Sequence, residues 1–176
     1  MSTDQVVVAT QVATTQEDAD AVDAIKGHHS ELAEQIATLT DGLLEAAESG
    51  DGFDAARAAA VDFLTGTLMP HAIAEENHLY PAAARREEAG LLVESMIAGH
   101  RVIGTLVDRI ANEESPIRAA AAGHALRVFF DAHLVDENDR ILSVLAGDPD
   151  VSLAKVVHGM HELLGEETHG EHGAHE

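Results

Sequence analysis

The chain has 176 residues and a formal net charge of −22, with 10 Lys and Arg against 32 Asp and Glu. It has no cysteine and no tryptophan, so a disulfide framework, a thiolate metal site and a thiol nucleophile are excluded. The charge argues against nucleic acid and anionic membrane surfaces as partners, and the length suffices for one domain with its own core.

Residues 1–16 carry no basic start, and their apolar run is too short for a signal peptide. They read as a disordered segment, and the protein as cytoplasmic. No apolar run approaches the length of a membrane-spanning helix. Alanine is abundant, β-branched runs are few, and prolines sit between periodic segments, which favours an all-α domain. A first helix is expected from Asp18 to Glu48, stopped by "SGDG". A second follows Asp51 and ends at Pro81. A third runs from near Glu87 to near Glu114, where Ser115 and Pro116 form a start signal for the fourth. The fourth ends at Gly147, before "DPD", and a fifth covers Asp150 to Leu164. Short connections between long helices imply antiparallel neighbours. The expected architecture is therefore an up-down four-helix bundle over residues 17–147, with a short extra C-terminal helix over 148–165. That helix either packs on the bundle or makes a homodimer contact. Residues 166–176 form an acidic, histidine-rich disordered tail.

The apolar seams are regular. In the first helix Val22, Ile25, Leu32, Ile36, Leu39 and Leu43 alternate by three and four, with one gap, at His29. In the third, Val93, Met96, Ile103, Val107 and Ile110 do the same, with the gap at His100. In the second, Val61, Leu64 and Leu68 lead to His71 and Glu75, and in the fourth Leu126 and Phe130 lead to His133 and Glu137. Such seams are what bundle helices bury. Counting from the turns at ~1.5 Å per residue places the four histidines within a few ångströms of one depth.

An unpaired carboxylate in an apolar core costs several kcal/mol or neutralises itself. Two of them beside four histidines call for cations. Positions four apart on a helix lie ~5–6 Å apart at Cβ, so both side chains reach one metal or an adjacent pair. Six donors exceed what one zinc takes. They suit two metals, with Glu75 and Glu137 bridging and two histidines on each ion. Imidazole-rich mixed sites favour iron, with manganese or zinc as the alternatives.

These segments, "HHSEL", "HAIAEENHLYP", "GHRVI" and "HLVDE", resemble the hemerythrin-like, HHE cation-binding family over about residues 18–146. The resemblance implies an up-down four-helix bundle around a non-haem di-iron centre, oxo- or hydroxo-bridged, whose ligands are His29, His71, Glu75, His100, His133 and Glu137. It implies roles with dioxygen, nitric oxide or peroxide, or in iron handling. Oxygen-carrying members place a further histidine four residues after the third-helix one; here Gly104 stands there. Their fourth-helix carboxylate is an aspartate one residue beyond the position of Glu137. With four histidines both metals keep exchangeable positions, which suits peroxide disproportionation better than reversible carriage. The rivals are a sensor or carrier of oxygen or nitric oxide, an iron-handling protein, and a structural zinc bundle. No acid–base residue is identifiable.

Other residues carry blander readings. His28 falls off the seam and is the alternative to His29 as the first-helix ligand. Glu76 points off the ligand face, to solvent or to the back of a ligand. His78 returns to the seam as packing, outer partner or substitute ligand. Tyr80 reads as core, although it could fill a vacant metal position, and His124 reads as structural. Pro70 either bends the second helix beside His71 or divides it in two. His158/Glu162 and His172/Glu176 repeat the four-residue spacing by chance. His169, His172 and His175 in the tail read as solvated, with weak metal binding or iron loading as the alternative.

Overall fold

The computed structural model describes residues 13 and 15–164, the last four by their backbone alone. Five helices follow one another, with no strand among the described residues. Helix α1 is Gln16–Ser49. Helix α2 spans residues 53–83, α3 is Gly90–Asn112, α4 spans residues 116–146, and α5 is Leu153–Leu164. Thr15 caps α1 by accepting from the Asp18 N–H at 3.0 Å, so the helix begins two residues before the expected Asp18. It ends where Gly50 adopts φ +75° and returns its N–H to Ala46, and Gly52 at φ +69° opens α2. The "SGDG" stop thus works through two left-handed glycines. Residues 1–12, 14 and 165–176 lie outside the described residues, and the tail histidines with them.

Helix α2 is continuous but composite. Its regular pieces, Phe53–Phe63, Met69–Ala74 and Tyr80–Ala83, are joined by two wide turns, Leu64–Leu68 and Glu75–Leu79. In each, the closing N–H reaches five residues back, from Met69 to Leu64 and from Tyr80 to Glu75. Each is followed at once by a proline, Pro70 or Pro81. A proline ring clashes with the carbonyl four residues earlier and offers no N–H. A turn widened by one residue relieves that conflict, so Pro70 does not divide the helix in two. Helix α4 has one such turn, Glu137–Ile141, closed from Leu142 to Glu137, with no proline behind it.

Helix α1 packs along α4 and against α2, and α3 packs along α4 and against α2. The buried face of α1 runs Ala21, Ile25, His29, Leu32, Ile36, Thr40 and Leu43, so Thr40 takes the buried place expected of the partly buried Leu39. Gly123 lets α4 approach α1, since a Cβ there would lie 3.3 Å from Leu43 Cδ2. The apolar core forms two clusters. One gathers Ile25, Leu79, Val93, Met96, Ile141 and Leu145, the other Leu32, Ile36, Leu68, Ile103, Leu126 and Phe130. Each fully buried side chain of this kind contributes roughly 1.5–3 kcal/mol.

Helix α5 packs on α1 and on the Glu75–Leu79 turn of α2. Its Leu153 and Met160 join the first cluster, beside Ala74, Leu79 and Tyr80. Of the two roles open to it, packing on the bundle is therefore realised. One correction concerns apolar length. Residues 87–112 are long and apolar enough to span a membrane by composition, with mean hydropathy 1.3. Their buried face carries His100, and Leu91 and Val102 lie on the exposed one.

Asp18 links the ends of the chain. Its Oδ2 accepts from the Thr15 hydroxyl at 2.7 Å, and its Oδ1 from the Ala154 N–H at the start of α5 at 3.2 Å. Asp18→Ala is expected to destabilise the protein by about 1–3 kcal/mol, because a buried donor loses its acceptor and α1 part of its cap. Asp20→Ala, on the exposed face, is expected to stay within about 0.5 kcal/mol. Urea unfolding of the two variants checks the difference.

Candidate metal centre

The six polar residues of the seams form a layer between the two apolar clusters. On α1 His29 lies between Ile25 of one cluster and Leu32 of the other, and on α3 His100 lies between Met96 and Ile103. His71 and Glu75 follow Leu68 on α2, and His133 and Glu137 follow Phe130 on α4. All six are buried, and Glu75 and Glu137 are 1% and 0% exposed.

The donors converge on Glu75. Its Oε1 lies 2.8 Å from His71 Nε2 and 3.2 Å from His29 Nε2, and its Oε2 lies 3.4 Å from His100 Nε2. Glu137 Oε2 is 3.9 Å from both His29 Nε2 and His133 Nε2. The ligand atoms of His29, His71 and Glu75 all lie within 4.8 Å of one another, a spacing that suits one ion. Tyr80 is fully buried, as a core residue should be, yet its hydroxyl is 3.2 Å from His100 Nε2 and 3.5 Å from His133 Nε2. It therefore belongs to the polar layer as well.

Three supporting residues complete the layer. Asn138 Oδ1 is 2.8 Å from His29 Nδ1, and Glu76 Oε1 is 2.9 Å from His100 Nδ1. Gly99 makes room for His133, since a Cβ at Gly99 would lie 2.7 Å from the imidazole Nδ1. Helix phase alone hides Asn138 and puts Glu76 off the ligand face. The Gly-His pair at 99–100 was the available signal for Gly99.

The other singled-out residues lie elsewhere. His28 is half-buried with its ring 4.9 Å from that of His71, and its Nδ1 is 4.0 Å from Glu31. His78 faces α5, where a Cβ on Gly159 would lie 3.0 Å from its Nδ1. His124 is exposed on α4. Gly104, in place of a fifth histidine, has the Met69 methyl 3.8 Å from where its Cβ would be.

Burial opposes ionisation throughout the layer, and the neighbours then divide the carboxylates. At Glu75 the attraction of His71 and donation from His100 and His29 outweigh burial, holding the carboxyl well below its ordinary range. At Glu137 burial and then the charge of Glu75 act together, pushing the carboxyl well above it. Burial and then the charge of His100 lower His133 to about 4. For His100, burial is outweighed by its bonds to Glu75 and Glu76, and it titrates above its ordinary value. Burial and the two carboxylates raise Tyr80, so it keeps its phenolic proton.

Whether the set fits a metal is answered by its unpartnered atoms. Both oxygens of Glu137 and both ring nitrogens of His71 are buried without a hydrogen bond; His71 Nε2 stands close to Glu75 but lacks bonding geometry. Buried polar atoms in native proteins nearly always find a partner. One imidazole nitrogen of His71 and the carboxylate oxygens of Glu137 are orphaned lone-pair donors in one layer, and such donors are what a coordinated cation satisfies.

These shifts fix the pH dependence of the metal-free protein. The lowered His133 contributes stability above pH 6.5 that is lost as pH falls toward 4. The raised Glu137 and His100 act oppositely: their contribution is present below the ordinary values and is lost as pH rises through the raised ones. Above pH 6.5 metal-free stability should therefore fall with rising pH. Each proton involved contributes up to about 1.4 kcal/mol per unit. Glu137→Gln should reduce that slope and stabilise the metal-free protein at pH 8, read by thermal melting in chelator. Gly99→Ala should force His133 out of place, destabilise by about 1–3 kcal/mol, and lower metal uptake measured by elemental analysis.

Compared with known families, the chain matches the Hemerythrin HHE cation binding domain over residues 20–145, which contains all six converging residues. No curated protein and no solved structure matches it. The family match covers more than half of the chain: the protein belongs to the hemerythrin HHE cation-binding family.

Proposed function

We propose that the four long helices form an up-down bundle holding two iron ions, and that the protein disproportionates hydrogen peroxide to water and dioxygen. The pairing of α4 with α1 and α3, and of α2 with the same two helices, supports the arrangement. His29, His71, His100 and His133 would bind the ions, with Glu75 and Glu137 shared between them. The observation that carries the reading is the set of unpartnered buried atoms on Glu137 and His71, in a layer with four histidines and no fifth at Gly104.

Bound iron would supply two-electron redox chemistry with peroxide. The chain's own part is enclosure, orientation and proton custody. The apolar clusters on both sides restrict access to small solutes and keep bulk water from the layer. Asn138 and Glu76 hold His29 and His100 with Nε2 turned inward. Tyr80 keeps a proton on Oη beside His100 and His133, where a departing oxygen could take it.

The test is metal content and the near-ultraviolet spectrum of untagged protein, followed by peroxide addition with an oxygen electrode. Two irons per chain, oxo-bridge absorption and many turnovers of oxygen are expected. A stable spectral change without turnover would favour the oxygen or nitric oxide sensor or carrier. Colourless zinc protein would sink both. The double variant Glu75→Ala/Glu137→Ala should lose stoichiometric metal, and full occupancy there would mean the ligands are misassigned.

A further inference from the structure

Residues 71–80, "HAIAEENHLY", and 133–142, "HLVDENDRIL", align without a gap. In both, the glutamate is the first residue of a wide turn whose closing N–H comes from the tenth position, Tyr80 or Leu142. In a regular helix the residue after an inward-facing one lies ~100° round the axis and leaves the face. Glu76 nonetheless reaches His100 on α3, and Asn138 reaches His29 on α1, each at Nδ1 and each within 2.9 Å. The two bonds are equivalent in construction. An Nδ1–H committed to an acceptor fixes the tautomer and leaves Nε2 free to ligate.

The acceptors are not equivalent. Glu76 offers a carboxylate, which makes its imidazole a more basic ligand. Asn138 offers a neutral amide, which orients without adding charge. The tenth positions differ in the same sense, since Tyr80 directs a hydroxyl at His100 and His133 whereas Leu142 is apolar. We infer that Glu76 and Asn138 are positioning residues which each aim one histidine of a neighbouring helix and make the two halves of the centre chemically unequal. The half containing His100 and His133 is the carboxylate-backed, hydroxyl-flanked one. The half containing His29 and His71 is amide-backed. The inference rests on the metal reading proposed above.

The experiment loads metal-free protein with less than two equivalents of isotopically enriched ferrous iron, followed by Mössbauer spectroscopy. The parent should show two distinct quadrupole doublets. Glu76→Ala should weaken one half by about 10–100-fold and deplete one doublet. Asn138→Ala should deplete the other. Glu76→Gln keeps an acceptor without the charge; it should restore occupancy while moving that doublet toward its partner. Melting of each metal-free variant checks folding, and the near-isosteric Gln variant carries the test if the alanine one does not fold. A single doublet in the parent, or alanine variants that deplete both doublets alike or neither, would overturn the inference. A parent that takes up no iron would instead overturn the metal reading, and the inference with it.

Discussion

Everything in this bundle is arranged around two carboxyl groups that have no water. Glu75 and Glu137 sit in one layer with apolar clusters on either side. Removing a carboxylate from water costs several kcal/mol unless charge or hydrogen bonds replace the solvent. The protein meets that cost unevenly. Glu75 gathers three imidazoles and is held well below its ordinary carboxyl range, whereas Glu137 has none within hydrogen-bonding distance and is pushed well above it by burial and the charge of Glu75. The layer is thus half-compensated by its own side chains. What it lacks is positive charge placed between Glu137 and the histidines, which is a description of a cation site in electrostatic terms.

The backbone is shaped to the same end. Two of the three wide turns stand directly before prolines, and the proline ring accounts for them sterically. The third, at Glu137, has no proline to account for it. What the second and third share is their starting residue, a buried glutamate, and a next side chain that reaches a histidine. Wide turns inside helices cost good hydrogen-bond geometry and concentrate at functional positions. Here two of them begin where a face presenting His and Glu inward is followed by a residue that reaches sideways.

Seam periodicity in the sequence was enough to bring the six polar residues to one depth, because a helix of fixed rise turns spacing into position. Cap and turn residues placed the breaks at "SGDG" and Ser115–Pro116. Seam arithmetic failed off the ligand face. Glu76 and Asn138 fall off that face by helix phase, yet each side chain reaches a histidine on a neighbouring helix. Gly99 was marked only by its place before His100, since the contact it permits is with His133, distant in sequence and supplied by packing. Pro70 was legible as an anomaly but not as a solved one, because the remedy lies six residues upstream. Tyr80 was read as core from its apolar surroundings, and its burial agrees, but a phenol has two ends, and the polar one faces the histidines.

Enclosure then limits the chemistry. Helix α5 covers the Glu75–Leu79 turn, with Gly159 pressed against His78, so the side of the bundle nearest Glu75 is closed by chain beyond the matched family region. His100 meets its outer partner Glu76 where that side chain is 38% exposed. Asn138 lines a surface cavity of about 180 Å³. The layer therefore approaches solvent through Glu76 and Asn138 rather than through the six converging residues. Under the proposed reading, a layer enclosed in this way suits reactants of a few atoms. Any electron or proton exchanged with a larger partner would have to cross the outer edges of His100 or His29. The unequal partners of those two imidazoles, one carboxylate and one amide, would then set the direction of that exchange as well as the strength of each ligand.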